Sequence, residues 1–362
     1  MAEALTPAAT VSFDVHGLPT RGSLPSIAGL ATASPKRSFD QGQILDLLGL
    51  TGDAFAEGIF ARCGVRTRGL ELSPELLQTT LQQRTQTTED GLMRLATRAV
   101  GALSFEPDDV GVVVTASYYS LGGPTLAHRL VDHYRLRSDT DKYHLVGVGC
   151  ASAVPLLRLA SQALRDRPGE KALVVAAEIV SGFLTPVTAG DEKVKIVGSA
   201  LFGDGAAAAL LSLDPQAPGP EIVATTVHQV PGTLDHVRFA VTGEDSHMQM
   251  ARELPEIAEH AVPGLVHEFL GRRGLDTSAI DHWPVHPGGQ GIIDGLQRGL
   301  GLSDEDVAPS AAVLAEHGNV GTPSAFFVLQ RTTAERAPGP GERGLAITIG
   351  PGVTVGLMLL QW

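Results

Sequence analysis

The sequence predicts an α/β fold in which sheets of short strands are flanked by helices. Two observations carry this reading. Short β-branched or apolar runs alternate with helically spaced segments, and the two halves of the chain share that layout. The chain has 362 residues, 43% of them hydrophobic, which is ample for one or two packed cores. Charged residues make up 19%, and no low-complexity block interrupts the pattern, so an ordered globular protein is expected.

Residues 1–25 carry Pro, Gly, Thr and Ala without a period and are expected to form a mobile N-terminal arm. Residues 26–33 read as a strand ending before Pro35, and 41–50 place Ile44, Leu45, Leu47 and Leu48 at helical spacing. A β-branched run at 110–116, a helix at 122–134, a strand at 144–149 and an amphipathic helix at 153–165 follow. Residues 172–177 and 206–213 read as buried strands. The segment 214–220, Asp-Pro-Gln-Ala-Pro-Gly-Pro, cannot hold regular structure and divides the chain into halves at 26–215 and 220–362. The second half resumes with a strand at 221–228 and a long helical stretch at 248–273. Further strands are expected at 283–286, 325–329, 344–348 and 354–360. The similar layout of the halves permits a duplication, although no short-period repeat is present.

Composition removes several function classes. The formal net charge is −13 and the basic residues are scattered, which argues against nucleic acid as a partner. No apolar run approaches the length of a membrane span, and no basic-then-apolar leader opens the sequence. The two cysteines, Cys63 and Cys150, can by themselves form neither a disulfide framework nor a metal site. A reduced, cytoplasmic protein is the simplest reading.

Cys150 lies in residues 145–153, Leu-Val-Gly-Val-Gly-Cys-Ala-Ser-Ala, a strand running through a turn into a helix. Gly147 and Gly149 let the backbone turn tightly, and unpaired N–H groups at a helix start favour a thiolate. Cysteine is just as often a small buried hydrophobe, and the local sequence does not separate the two readings. Cys63, in Ala-Arg-Cys-Gly, has no comparable setting. His286 stands at a strand end in residues 283–291, Trp-Pro-Val-His-Pro-Gly-Gly-Gln-Gly, where a structural turn histidine fits equally well. Asn319, in residues 316–324, could serve only as a cap or left-handed turn residue. His282 and His317 suggest a metal, but no carboxylate or second cysteine completes a ligand spacing.

Together these segments resemble the thiolase-like condensing enzymes, most closely the type III polyketide synthases of the chalcone synthase kind. The matching runs are 28–35 with Gln41, Gly149-Cys150, 201–208 (Leu-Phe-Gly-Asp-Gly-Ala-Ala-Ala), 285–289 (Val-His-Pro-Gly-Gly), 313–319 (Val-Leu-Ala-Glu-His-Gly-Asn) and 349–355 (Ile-Gly-Pro-Gly-Val-Thr-Val). The His-Pro-Gly-Gly and Gly-Pro-Gly elements set this subgroup apart from the fatty-acid initiating ketosynthases. The resemblance implies a thiolase-like duplicated αβαβα five-layered fold, with Cys150 closing the first half and His286 and Asn319 supplied by the second. It implies that Cys150 takes an acyl group from a coenzyme A thioester, and that malonyl-CoA then loses carbon dioxide beside His286 and Asn319. No cofactor or metal is implied. The alternative within the same fold is a ketosynthase III-like acyltransferase or single-condensation enzyme of a secondary-metabolite pathway.

The resemblance also assigns cavity and binding positions. Phe202 matches an aromatic gatekeeper, and Met248 falls where a second Phe is usual. Phe183 replaces a common Thr and should shrink one wall, whereas Gly321 replaces a common Ser and should enlarge another. Ile349 belongs to a loop that departs from a Gly-Phe-Gly-Pro-Gly form. Leu121 aligns with a residue that reaches into a neighbouring subunit, which implies a homodimer. Arg62, Arg66 and Arg68 fall where the family meets CoA phosphates, and Gly288 and Gly289 would let the pantetheine arm approach.

Overall fold

The structure, a computed structural model, describes residues 24–71, 79–118, 120, 122–183, 193–242 and 245–362. The expected N-terminal arm falls almost wholly outside them. The first half runs β1 (Ser26–Ala33), β2 (Ser38–Asp40), α1 (Gln41–Leu47), α2 (Ala54–Arg62), β3 (Thr67–Gly69), α3 (Leu81–Val100), β4 (Val110–Ala116), α4 (Leu126–His133), β5 (Asp141–Leu145), α5 (Ala153–Ala163), β6 (Lys171–Glu178), α6 (Lys193–Leu201) and β7 (Gly205–Ser212). The second runs β8 (Glu221–Gln229), β9 (Val237–Thr242), β10 (Asp245–Met250), α7 (Leu254–His260), α8 (Val262–Gly271), α9 (Gln290–Leu300), α10 (Asp304–His317), α11 (Ser324–Arg336), β11 (Arg343–Gly350) and β12 (Thr354–Gln361).

The large sheet has the order β11-β12-β8-β1-β7-β6-β4-β5. Its two halves, β5 to β1 and β8 to β11, meet at one β1–β8 pair, Ser26 with Glu221. Helix α5 packs against β4 and β6 on one side and β8 and β12 on the other, and α11 packs on β1 and β11. Helices α3 and α4 cover the outer face of the first half, and α8, backed by α7 and α9, covers the second. The result is the five-layered duplicated αβαβα arrangement. Its middle layer holds α5 and α11, each preceded by a turn that carries a candidate site residue.

Local chemistry explains the element ends. Asp40 with Gln43, Thr80 with Gln83 and Ser303 with Asp306 form capping boxes at the starts of α1, α3 and α10, which satisfy otherwise unpaired N–H groups. Helix α5 buries Val154, Leu156 and Leu157 completely, each stabilising the fold by about 1.5–3 kcal/mol relative to exposure.

Several expected elements differ. Residues 325–329 were expected as a strand but belong to α11, where Ala325, Phe326, Phe327, Val328 and Leu329 are all buried. A helix enclosed between two sheets loses its amphipathic period, and a short apolar run then reads as a strand. The strand expected at 144–149 is β5, ending at Leu145, because positive φ at Gly147 and Gly149 (80° and 60°) ends the extended chain. The helix expected at 122–134 begins only at Leu126, after Pro124. The helical stretch expected at 248–273 starts as β10 and then splits into α7 and α8 at Ala261, with Pro255 and Pro263 each near a helix start. Residues 283–286 lie beside β11 through bridges at His282 and Val285 rather than as a full strand, since Pro284 has no N–H to give.

Candidate active site

Cys150 occupies the turn Gly149–Ala151 that leads into α5. The end of β11 presses on this turn: a Cβ added at Gly350 would lie 2.6 Å from the Ala151 nitrogen. Only glycine permits that approach, which accounts for the first residue of the Gly-Pro-Gly element.

His286 is 2% exposed and is fixed by its own N–H, which donates to the Ile347 carbonyl at 2.9 Å. A Cβ at Gly288 would come within 3.0 Å of His286 Nε2, so the paired glycines keep the imidazole face clear. Asn319 is anchored by its N–H to the Leu201 carbonyl at 2.9 Å. Its Oδ1 accepts from Gly321 N at 2.9 Å, Ser324 Oγ at 3.0 Å and Cys150 Sγ at 3.7 Å. Its Nδ2 faces the Gly288 carbonyl at 3.5 Å.

Cys150, His286 and Asn319 therefore line one cavity, with an empty volume of about 570 Å³ including its open mouth. Tyr118, Val180, Phe202, Met248, Met250 and Ile349 supply much of its wall. Phe202 and Val180 are buried and pack against Tyr118, Met248 and Met250. Met248 reaches the cavity from β10, opposite Phe239. Sequence reasoning missed Tyr118, Val180 and Met250, none of which stands in a motif.

It also missed Glu178, the last residue of β6. This carboxylate is 1% exposed and accepts from Tyr118 N at 2.8 Å, Ser117 Oγ at 3.2 Å and the Thr322 hydroxyl. Burial raises it to about 7. A lone acid closing the apolar run 172–177 was the available signal. Cys150 keeps partial exposure through the cavity, but surrounding protein and then the Glu178 charge push its thiol up to about 12. Burial pushes His286 down to about 3. Burial therefore disfavours the charged form of both groups and acts against the helix end, which favours the thiolate. Glu178→Gln removes the anionic neighbour, so the Cys150 thiol pKa should fall. Each unit of fall gives about tenfold more thiolate at neutral pH, and the pH dependence of iodoacetamide alkylation measures it.

Arg68 is not available to a coenzyme. It is 0% exposed, and its guanidinium donates to the Phe202 carbonyl at 2.6 Å, to Gln41 Oε1 at 3.1 Å and to the Ser199 carbonyl. Burial lowers it to about 10. Its role is to hold the Phe202 wall to α1 and α6. Arg68→Ala strands the buried Phe202 and Ser199 carbonyls and the half-buried Gln41 Oε1 at about 1–3 kcal/mol per acceptor, so a loss of about 3–5 kcal/mol is expected in urea unfolding.

Arg62 and Arg66 are exposed, with Arg66 3.9 Å from Glu316. Their loop abuts the His286 turn: a Cβ on Gly64 would lie 2.9 Å from Gln290 Oε1, at the start of α9. Gly289, with φ 150°, is the residue before α9. Gly321 does not simply open a wall. Its φ is +67°, and a Cβ there would sit 3.0 Å from Glu178 Cγ, so Glu178 fills the space a side chain would need. Phe183 ends the short turn Val180–Phe183, but its side chain, like all of Leu121, lies outside the described residues. Among the described residues no group of three or more His, Cys, Asp or Glu could hold a metal ion, and no helix is long and apolar enough to cross a membrane.

A duplicated αβαβα fold that opens a cysteine at its central helix onto an apolar cavity is the architecture of the thiolase-like condensing enzymes, and this is the protein's class. Residues 48–267 match the family described as FAE1/Type III polyketide synthase-like protein, and residues 221–362 match the C-terminal domain of chalcone and stilbene synthases. Type III polyketide synthase 21 of Oryza sativa subsp. japonica is 32% identical over 82% of this chain and 81% of its own. The 3,5-dihydroxyphenylacetyl-CoA synthase of Streptomyces toyocaensis is 29% identical over 97% of this chain and 93% of its own. The crystal structure of PKS-I from the brown alga Ectocarpus siliculosus superposes with a TM-score of 0.83 at 26% identity, covering 93% of this chain and 98% of that one. The chain belongs to the type III polyketide synthase family, and it is a condensing acyltransferase.

Proposed function

We propose that Cys150, His286 and Asn319 carry the condensation, with an apolar acyl-CoA as starter and malonyl-CoA as extender. In loading, neutral His286 takes the Cys150 proton, the thiolate attacks the thioester carbonyl, and the proton leaves on the CoA thiol. In extension, the malonyl carboxylate departs as carbon dioxide and the electron pair becomes an enolate. The N–H of His286 and Nδ2 of Asn319 donate to its oxygen. The enolate carbon then attacks the acyl-Cys150 carbonyl, and the Cys150 sulfur leaves. No step of this chemistry calls for a metal or a cofactor.

The observation that supports this reading is the convergence of the three side chains on one cavity with mainly apolar walls. Those walls favour an apolar starter over a charged one. Gly288 and Gly289 would admit the pantetheine arm, and Arg62 and Arg66 would meet the CoA phosphates near its mouth. The reading extends to a cytoplasmic homodimer. Strand β5 is a sheet edge, and Tyr143 within it and Val146 just after it are 37% and 43% exposed, so a second copy would cover an otherwise open edge.

The test offers the purified protein a panel of apolar and charged acyl-CoAs with malonyl-CoA and follows carbon dioxide release and product mass. Apolar starters extended by two-carbon units are the expected result. Acyl transfer without malonyl-CoA consumption would overturn the reading in favour of a simple acyltransferase.

A further inference from the structure

An oxyanion donor is useful only if its amide faces the right way, and Asn319 presents chemically opposite ends to sulfur and substrate. Three donors converge on one end: the Gly321 N–H, the Ser324 hydroxyl and the Cys150 thiol. The Gly321 N–H, which can only donate, identifies that atom as the oxygen, and the Ser324 hydroxyl and Cys150 thiol then donate to it as well. Among the described residues the other end, Nδ2, has one contact, 3.5 Å to the Gly288 carbonyl, and it belongs to a residue that lines the cavity, where its second N–H can donate to substrate.

The thiol is a temporary member of this set. When Cys150 ionises or is acylated, its S–H no longer donates. A thiolate 3.7 Å from Oδ1 would then favour a turned amide with Nδ2 on the sulfur. That turn would offer oxygen instead of N–H to the developing enolate. Gly321 N–H, which can only donate, opposes it, and Ser324 is the side chain that holds Oδ1 beside that N–H by donating to it. It is 0% exposed and is the first residue of α11, so its hydroxyl is held in place by the middle layer of the fold.

We propose that Ser324 is a positioning residue that locks the Asn319 amide with Nδ2 toward the substrate through the ionised and acylated stages of the cycle. The inference rests on the condensing role proposed above for Asn319. Losing one of the two persistent hydrogen bonds should weaken enolate stabilisation by about tenfold in rate. Acyl loading does not use Nδ2 and should be spared.

The experiment measures malonyl-CoA decarboxylation and single-turnover acyl loading for wild type, Ser324→Ala, Asn319→Ala and the double variant. Loading also reports that each protein is folded. Ser324→Ala is expected to decarboxylate about tenfold more slowly with loading within twofold of wild type. It should cause no further loss in the Asn319→Ala background, because the two residues act as one unit. Ser324→Ala decarboxylation within twofold of wild type would overturn the proposal. So would a parallel loss of loading, or the same loss in both backgrounds. If wild type itself does not decarboxylate malonyl-CoA, the role given to Asn319 fails instead.

Discussion

Replacing His286 with alanine is expected to slow acyl transfer to Cys150 and malonyl-CoA decarboxylation together, each by about 10²–10⁴. In the mechanism proposed above, the same imidazole serves both half-reactions, as proton acceptor for the thiol and as N–H donor to the enolate oxygen. Its neighbours cannot replace it. Glu178 is occupied by Tyr118 N, Ser117 and Thr322, and Asn319 cannot accept a proton at neutral pH. Because burial holds His286 at about 3, the imidazole stays neutral throughout ordinary buffers. Wild-type rates should therefore show no acid limb from this group between about pH 5 and pH 8. Stopped-flow measurement of each half-reaction across that range checks both statements. A loss confined to one half-reaction would remove the shared role.

Asn319→Ala should divide the half-reactions that His286→Ala lowers together. Deleting one oxyanion donor costs about 10²–10³ in rate, and that loss should fall on decarboxylation. Loading needs only the thiol, the imidazole and access to the cavity, so the acyl-enzyme should still form within a few-fold of the wild-type rate. Gly321 and Ser324 would lose their acceptor in the variant, which predicts a modest fall in stability of about 1–3 kcal/mol. The comparison of carbon dioxide release with acyl-enzyme formation is the decisive readout.

Much of the site was legible because its residues are embedded in small-residue turns that backbone geometry demands. Cys150 follows a glycine at φ 60°, Asn319 follows one at φ 68°, and His286 stands two residues before Gly288, whose Cβ would strike it. Phe202, Met248 and Ile349 also fall on the cavity wall. Arg68 was misread because a sequence shows a charge but not its depth. The same cation that would suit a phosphate is enclosed here by carbonyls of Phe202 and Ser199. Glu178 was missed for the converse reason, since a single acid closing an apolar run marks a buried charge but not the thiol it faces.

The fold divides in a similar way. Strands β4, β6, β7, β11 and β12 announced themselves as apolar runs because both faces of their sheet are covered. Helix α11 did not, because burial on all sides erased the periodicity that marks a helix. Strand β5 was shifted because it is an edge, rich in Asp, Lys and His, and carries little apolar signal. Complete burial marks a strand by its unbroken apolar run but hides a helix, and exposure hides a strand.

In the proposed cycle Cys150 carries the growing acyl chain. Intact-protein mass spectrometry after incubation with an apolar acyl-CoA, followed by peptide mapping, tests it most directly. One acyl adduct on the Cys150 peptide, absent from Cys150→Ala and discharged into product when malonyl-CoA is added, is the predicted result. An adduct on Cys63, or a Cys150→Ala variant that still makes product, would contradict it.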